Sequence, residues 1–79
     1  MYELKPIYDE RKSFYRKAVI EIKDGIKGLY SYNTRVAEIK EGVAKVFGTY
    51  SVTTLRHIKE FLLQEGFKAE TKAQIEQDY

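Results

Sequence analysis

The chain has 79 residues, 43% hydrophobic and 33% charged, with no cysteine; that is enough for one core, too apolar for a disordered chain, and without thiols for disulfides or a thiolate metal site. Fourteen Lys and Arg against twelve Asp and Glu give a formal charge of +2, a smaller excess than a dedicated duplex-binding protein carries to neutralise phosphates. No stretch approaches the ~18 apolar residues of a membrane span and no apolar signal region opens the chain, so the expectation is a cytoplasmic protein with no membrane contact.

Residues 1–12 mix Tyr2, Leu4, Pro6, Ile7 and Tyr8 with charges and follow neither helical nor alternating periodicity, which predicts an arm. Residues 13–50 are rich in β-branched and aromatic types and are punctuated by Asp24-Gly25 and Glu41-Gly42. Both dipeptides are hairpin turn signals, because the central residues of a type I′ turn need positive φ. A two-residue loop at Asp24-Gly25 pairs residues whose numbers sum to 49: Ala18 with Ser31, Ile20 with Leu29 and Ile22 with Lys27 on the core side, Val19 with Tyr30 and Lys17 with Tyr32 on the other. The second hairpin runs from about Thr34 to Gly48, with Ala37, Ile39, Ala44 and Val46 on one face and Val36 and Phe47 on the other. Either face can be the inner one. Tyr32-Asn33-Thr34 reads as a turn or as the middle of a bent strand, so the sheet has three or four strands.

From Ser51 the spacing becomes helical, with Leu55, Ile58, Phe61 and Leu62 on one stripe. A helix over 51–65 follows, capped by Ser51 or Thr53 and stopped by Gly66, with Phe67 folding back onto Leu62. Thr71 and Gln74 stand at capping-box spacing, which predicts a short second helix from about Lys72 to Asp78 anchored by Ile75. The whole reads as one α+β domain: an antiparallel sheet of two hairpins against one helix, then the tail 66–79.

Little in the chain carries catalytic chemistry, and the expectation is a protein that is not an enzyme and takes no cofactor. His57, the single histidine, falls at the edge of the apolar stripe one turn after Thr53, the position of a core-edge histidine bonded to a hydroxyl. A Ser51, His57, Glu60 triad can be drawn, but Ser51 is a natural cap and no nucleophile elbow surrounds it. No metal set accompanies His57, and no glycine-rich phosphate loop is present.

The unusual feature is seven tyrosines. Tyr15, Arg16, Lys17, Tyr30 and Tyr32 form one candidate contact patch, suited to a protein interface or to stacking on single-stranded nucleic acid. Arg56, Lys59 and an exposed Leu63 form another on the helix. Thr34, Ser51, Thr53, Thr54, Arg56 and His57 gather where the strands meet the helix N-terminus, a place that suits an anion; the plainer account is capping hydroxyls and an Arg56–Glu60 pair at i+4.

The stretch S-Y-N-T-x-V-A, here Ser31 to Ala37, and Y-S-x-T-T-x-R-H-I-x-x-F, here Tyr50 to Phe61, resemble a family of small proteins encoded by bacteriophages and their hosts. The resemblance covers roughly the middle two fifths of the chain and implies no activity. It implies a setting in which small proteins without catalytic residues inhibit host defence enzymes, as anti-CRISPR proteins do. The expected function is therefore binding and inhibition of a host protein such as a defence nuclease, with nucleic-acid binding as the alternative. A free strand edge is also a route to a homodimer.

Overall fold

The computed structural model describes residues 1–9, 17–47 and 51–79. Five strands, β1 (Tyr2–Glu3), β2 (Ala18–Lys23), β3 (Ile26–Ser31), β4 (Thr34–Lys40) and β5 (Val43–Val46), form one antiparallel sheet in the order β1-β2-β3-β4-β5, followed by helices α1 (Val52–Gln64) and α2 (Lys72–Asp78). This is an α+β fold.

The register of the first hairpin is the one its turn dictates: Ala18 pairs with Ser31, Ile20 with Leu29 and Ile22 with Lys27. Asp24 and Gly25 have φ of 55° and 79°, Glu41 and Gly42 of 52° and 78°, the two positive angles of a type I′ loop, whose twist matches that of the strands it joins. Tyr32 and Asn33 adopt the same pair of angles, 52° and 69°. The junction left open by the sequence is thus a third tight turn, and residues 18–46 are a four-stranded meander. The fifth strand comes from the arm: Tyr2 and Glu3 pair with Ile20 and Val19, and Leu4 N donates to Ala18 O at 2.9 Å. Two residues are too few to show an alternating pattern.

The inner face of the second hairpin is the one carrying Ala37, Ile39, Ala44 and Val46, and it packs with Ala18, Ile20 and Leu29 against the stripe of α1. Val36, placed on the opposite face by simple alternation, is also buried in that core. A bulge explains both: Tyr30 pairs with Arg35 but Leu29 with Ala37, so Val36 is an extra residue and two successive side chains of β4 turn inward. Ile58, Phe61 and Leu62 of α1 are buried on this face, each removing apolar surface worth about 2 kcal/mol.

The ends of α1 are as the sequence requires. Ser51 Oγ accepts from Thr54 N. At the other end Phe67 N donates to Leu62 O and Gly66 N to Leu63 O, with Gly66 at φ 86°, the bonding pattern that glycine permits after a helix. Thr71 caps α2 and Ile75 anchors it in the core. Tyr79 closes the structure: its carbonyl accepts from Val46 N on the outer edge of β5 at 3.2 Å, and its ring meets that of Phe67 edge-on at 6.0 Å. One sheet edge is therefore a two-residue strand and the other is partly occupied. Among the described residues no helix is long and apolar enough to cross a membrane.

Candidate functional site

Of the tyrosine patch, Tyr15 and Arg16 lie outside the described residues. The other members do not share a face. Tyr30 stands on the outer face, where its hydroxyl donates to Glu21 Oε1 at 3.4 Å, and pairs with Val19 and Arg35. Tyr32 has left the strand for the turn, and its ring lies 5.8 Å from that of His57, on the helix side. The alternation that placed the two tyrosines together fails because positive φ at Tyr32 redirects its side chain. Lys17 still meets Tyr32: Tyr32 N donates to Lys17 O at 2.9 Å, and Lys17 Nζ lies 5.8 Å from the ring centroid.

The cluster at the start of α1 does assemble, with its polar atoms turned on one another. His57 is fully buried, its Nδ1 2.7 Å from Ser31 Oγ, which is 3.1 Å from Thr54 Oγ1. The hydroxyl beside the histidine is thus Ser31 on the sheet rather than Thr53, which is half-buried; Thr34 is exposed. Ser51 Oγ both caps Thr54 N and donates to Thr54 Oγ1 at 3.3 Å. A Ser51, His57, Glu60 triad is not formed, because Ser51 and His57 have these other partners and Glu60 points elsewhere.

Glu60 is the residue that sequence reasoning missed. It is 1% exposed, and its carboxylate accepts three successive backbone amides of the arm: Ile7 N to Oε2 at 3.0 Å, Tyr8 N and Asp9 N to Oε1 at 2.9 Å. Gln64 Nε2 adds a fourth donor at 2.6 Å and also donates to Lys5 O at 2.7 Å. Consecutive amides converging on one anion form a nest, and four donors compensate the desolvation of the charge. The pair expected between Arg56 and Glu60 is absent from the ion pairs of the described residues; the arm has taken the carboxylate. Arg56 and Lys59 are half-buried on the same helix. Leu63, expected to stand in solvent, is half-buried and packs against the core.

Residues 2–77 match a family of unknown function, DUF8033. The chain belongs to it. No curated protein and no solved structure matches the chain.

The outer face of the DUF8033 sheet carries no helix among the described residues, and its register fixes its charges. Glu3, Glu21 and Glu38 stand there with Lys23, Arg35, Lys40 and Lys45. At its centre Gly28 leaves room for the Arg35 side chain: a Cβ there would lie 2.9 Å from Arg35 Nε. The guanidinium reaches Glu38 Oε1 at 3.5 Å, while its Nε is buried without a partner. On the inner face, beyond the end of α1, Lys27 Nζ bridges to Glu65 Oε2 at 2.9 Å. That hydrogen bond raises the Lys27 pKa above its ordinary 10.5, against a smaller opposing effect of burial.

Proposed function

We propose that this DUF8033 chain is a non-catalytic binding domain whose partner is a protein. In the phage setting implied by the sequence resemblance, that partner is a host protein such as a defence nuclease, inhibited by occlusion. The observation that carries the choice of a protein is the charge pattern of the outer sheet face. Glu21 and Glu38 flank its centre, on either side of Gly28, where a single-strand binder would lay bases and phosphates. Carboxylates there repel a polyanion, whereas an interspersed pattern suits a protein surface of mixed sign. One observation favours nucleic acid as a second reading: Lys17 over the half-exposed Tyr32 ring is a cation beside a stacking platform.

The test is capture by the tagged chain from bacterial extract, with and without added nuclease, over a salt series. A stoichiometric protein that survives digestion, and whose capture falls only weakly from about 50 to about 200 mM salt, supports the first reading. Recovery of nucleic acid, with a loss of several orders of magnitude in affinity over that range, overturns it in favour of the second.

A further inference from the structure

Glu60 fixes a part of the arm whose side chains stand in solvent. Leu4 is held by its own bond to β2 and by the core. The amides that Glu60 holds belong to residues 7–9, and among these Ile7 is 74% and Tyr8 62% exposed. A buried carboxylate and a bridging glutamine thus fix the backbone of a tip that presents two large apolar side chains to water. The arm runs antiparallel to α1, with Lys5 at the level of Gln64 and residues 7–9 at Glu60. Arg56 lies one turn further along that line and Lys59 beside it. Two cations therefore stand along the line of the arm on either side of Ile7 and Tyr8: the exposed Lys5, two residues before Ile7, and Arg56, one helical turn before Glu60.

We propose that the Ile7–Tyr8 tip, preorganised by Glu60, enters an apolar pocket with an acidic rim on a partner protein. The idea rests on the protein-binding reading above and names the contact. Protein interfaces concentrate their energy in a few apolar or aromatic anchors that insert into pockets, and an anchor whose backbone is already fixed loses less conformational freedom on binding. Two residues give too little apolar surface for stable membrane attachment, and an apolar tip has nothing to offer a phosphate backbone. In this arrangement Glu60 is a positioning residue. It touches no partner, and its loss weakens binding by freeing the tip.

The experiment places a photoreactive phenylalanine analogue at Tyr8 or, separately, at Lys45 on the outer sheet face of the full chain, irradiates bacterial cells and identifies the adducts. The expected result is one protein crosslinked from position 8 and not from 45, with the adduct lost in Ile7→Asp. With that protein purified, Tyr8→Ala weakens binding by about 30-fold or more, the effect of a hot spot. Lys72→Glu, on the exposed start of α2, leaves binding unchanged. Glu60→Gln weakens binding while hydrogen exchange of the Ile7, Tyr8 and Asp9 amides accelerates. Adducts from position 45 alone refute the tip and leave a protein partner standing; no protein adduct from either position refutes both. Crosslinks of the chain to itself, to nucleic acid or to lipid from position 8 also overturn the proposal, as does an Ile7→Asp chain that fails to fold, since Ile7 would then belong to the core.

Discussion

Replacing Glu60 by alanine tests the physics of the clamp without any partner. Three charge-assisted bonds to backbone amides are lost, each worth about 1.5–3 kcal/mol when the donor is left dry. Their sum overstates the effect, because the arm can lift away and let water satisfy the amides. The loss is then bounded by what undocking forfeits, chiefly the burial of Leu4, about 1.5–3 kcal/mol, and the few bonds of β1. Relief of carboxylate burial offsets a little of this. The expected destabilisation is about 2–4 kcal/mol, or roughly 10–25 °C in Tm for a chain of this size. Urea and thermal denaturation followed by circular dichroism measure the total, and hydrogen exchange at Leu4, Ile7, Tyr8 and Asp9 shows whether the arm has opened. Glu60→Gln, which keeps one acceptor oxygen but turns an NH₂ toward the amides, falls between. An alanine variant within about 1 kcal/mol of the parent, with the Ile7–Asp9 amides still protected, refutes the account.

Three further changes probe other parts of the structure. Asn33→Gly relieves positive φ at the second position of the Tyr32-Asn33 turn and is expected to stabilise the chain by about 0.5 kcal/mol in urea denaturation; a loss of stability would show that the Asn33 side chain holds the turn. Glu65→Gln removes the partner of Lys27, a loss of under about 1 kcal/mol for so partly exposed a pair. Because the folded-state pKa of Lys27 is raised, the bridge is intact on the neutral side of 10.5 and is lost as pH rises through the raised value, so on going from neutral to alkaline pH parent and variant should converge only in strong alkali; convergence near neutrality would contradict this. Gly28→Ala puts its Cβ against the end of the Arg35 side chain, which can swing away. The change is expected to be near neutral alone and stabilising in an Arg35→Ala background by about 0.5 kcal/mol, through the lower backbone entropy of the unfolded chain; equal effects in the two backgrounds would show that the contact is immaterial.

Local signals were legible because their causes are local. Asp24-Gly25 alone set the register of β2 against β3, and Ser51 and Gly66 marked the helix because capping is decided within one turn. Tyr32-Asn33 was ambiguous because tyrosine at positive φ is rare, so the residue type argued against the turn that the structure contains. The Val36 bulge leaves no mark in a period-two pattern except two inward residues in a row. Glu60 was hidden for a different reason. A glutamate on a helix is read as solvated, and only a partner more than fifty positions away in sequence, backbone rather than side chain, shows otherwise. The candidate patches were drawn from side-chain types, which is why the tip at Ile7 and Tyr8, defined by what holds its backbone, was not among them.

The meander joins neighbours in sequence through three two-residue loops, so its contacts close early and cheaply in entropy. The arm's anchor spans 51 to 53 positions. Synthesis runs from the N-terminus, so the arm, made before the meander and α1, is fastened after them. The amides of Ile7, Tyr8 and Asp9 stay with water until Glu60 has left the ribosome and α1 has settled on the sheet. Interactions formed after the folding barrier mainly slow unfolding, so the glutamate acts as a late latch. It governs how long the native state persists more than how quickly it is reached.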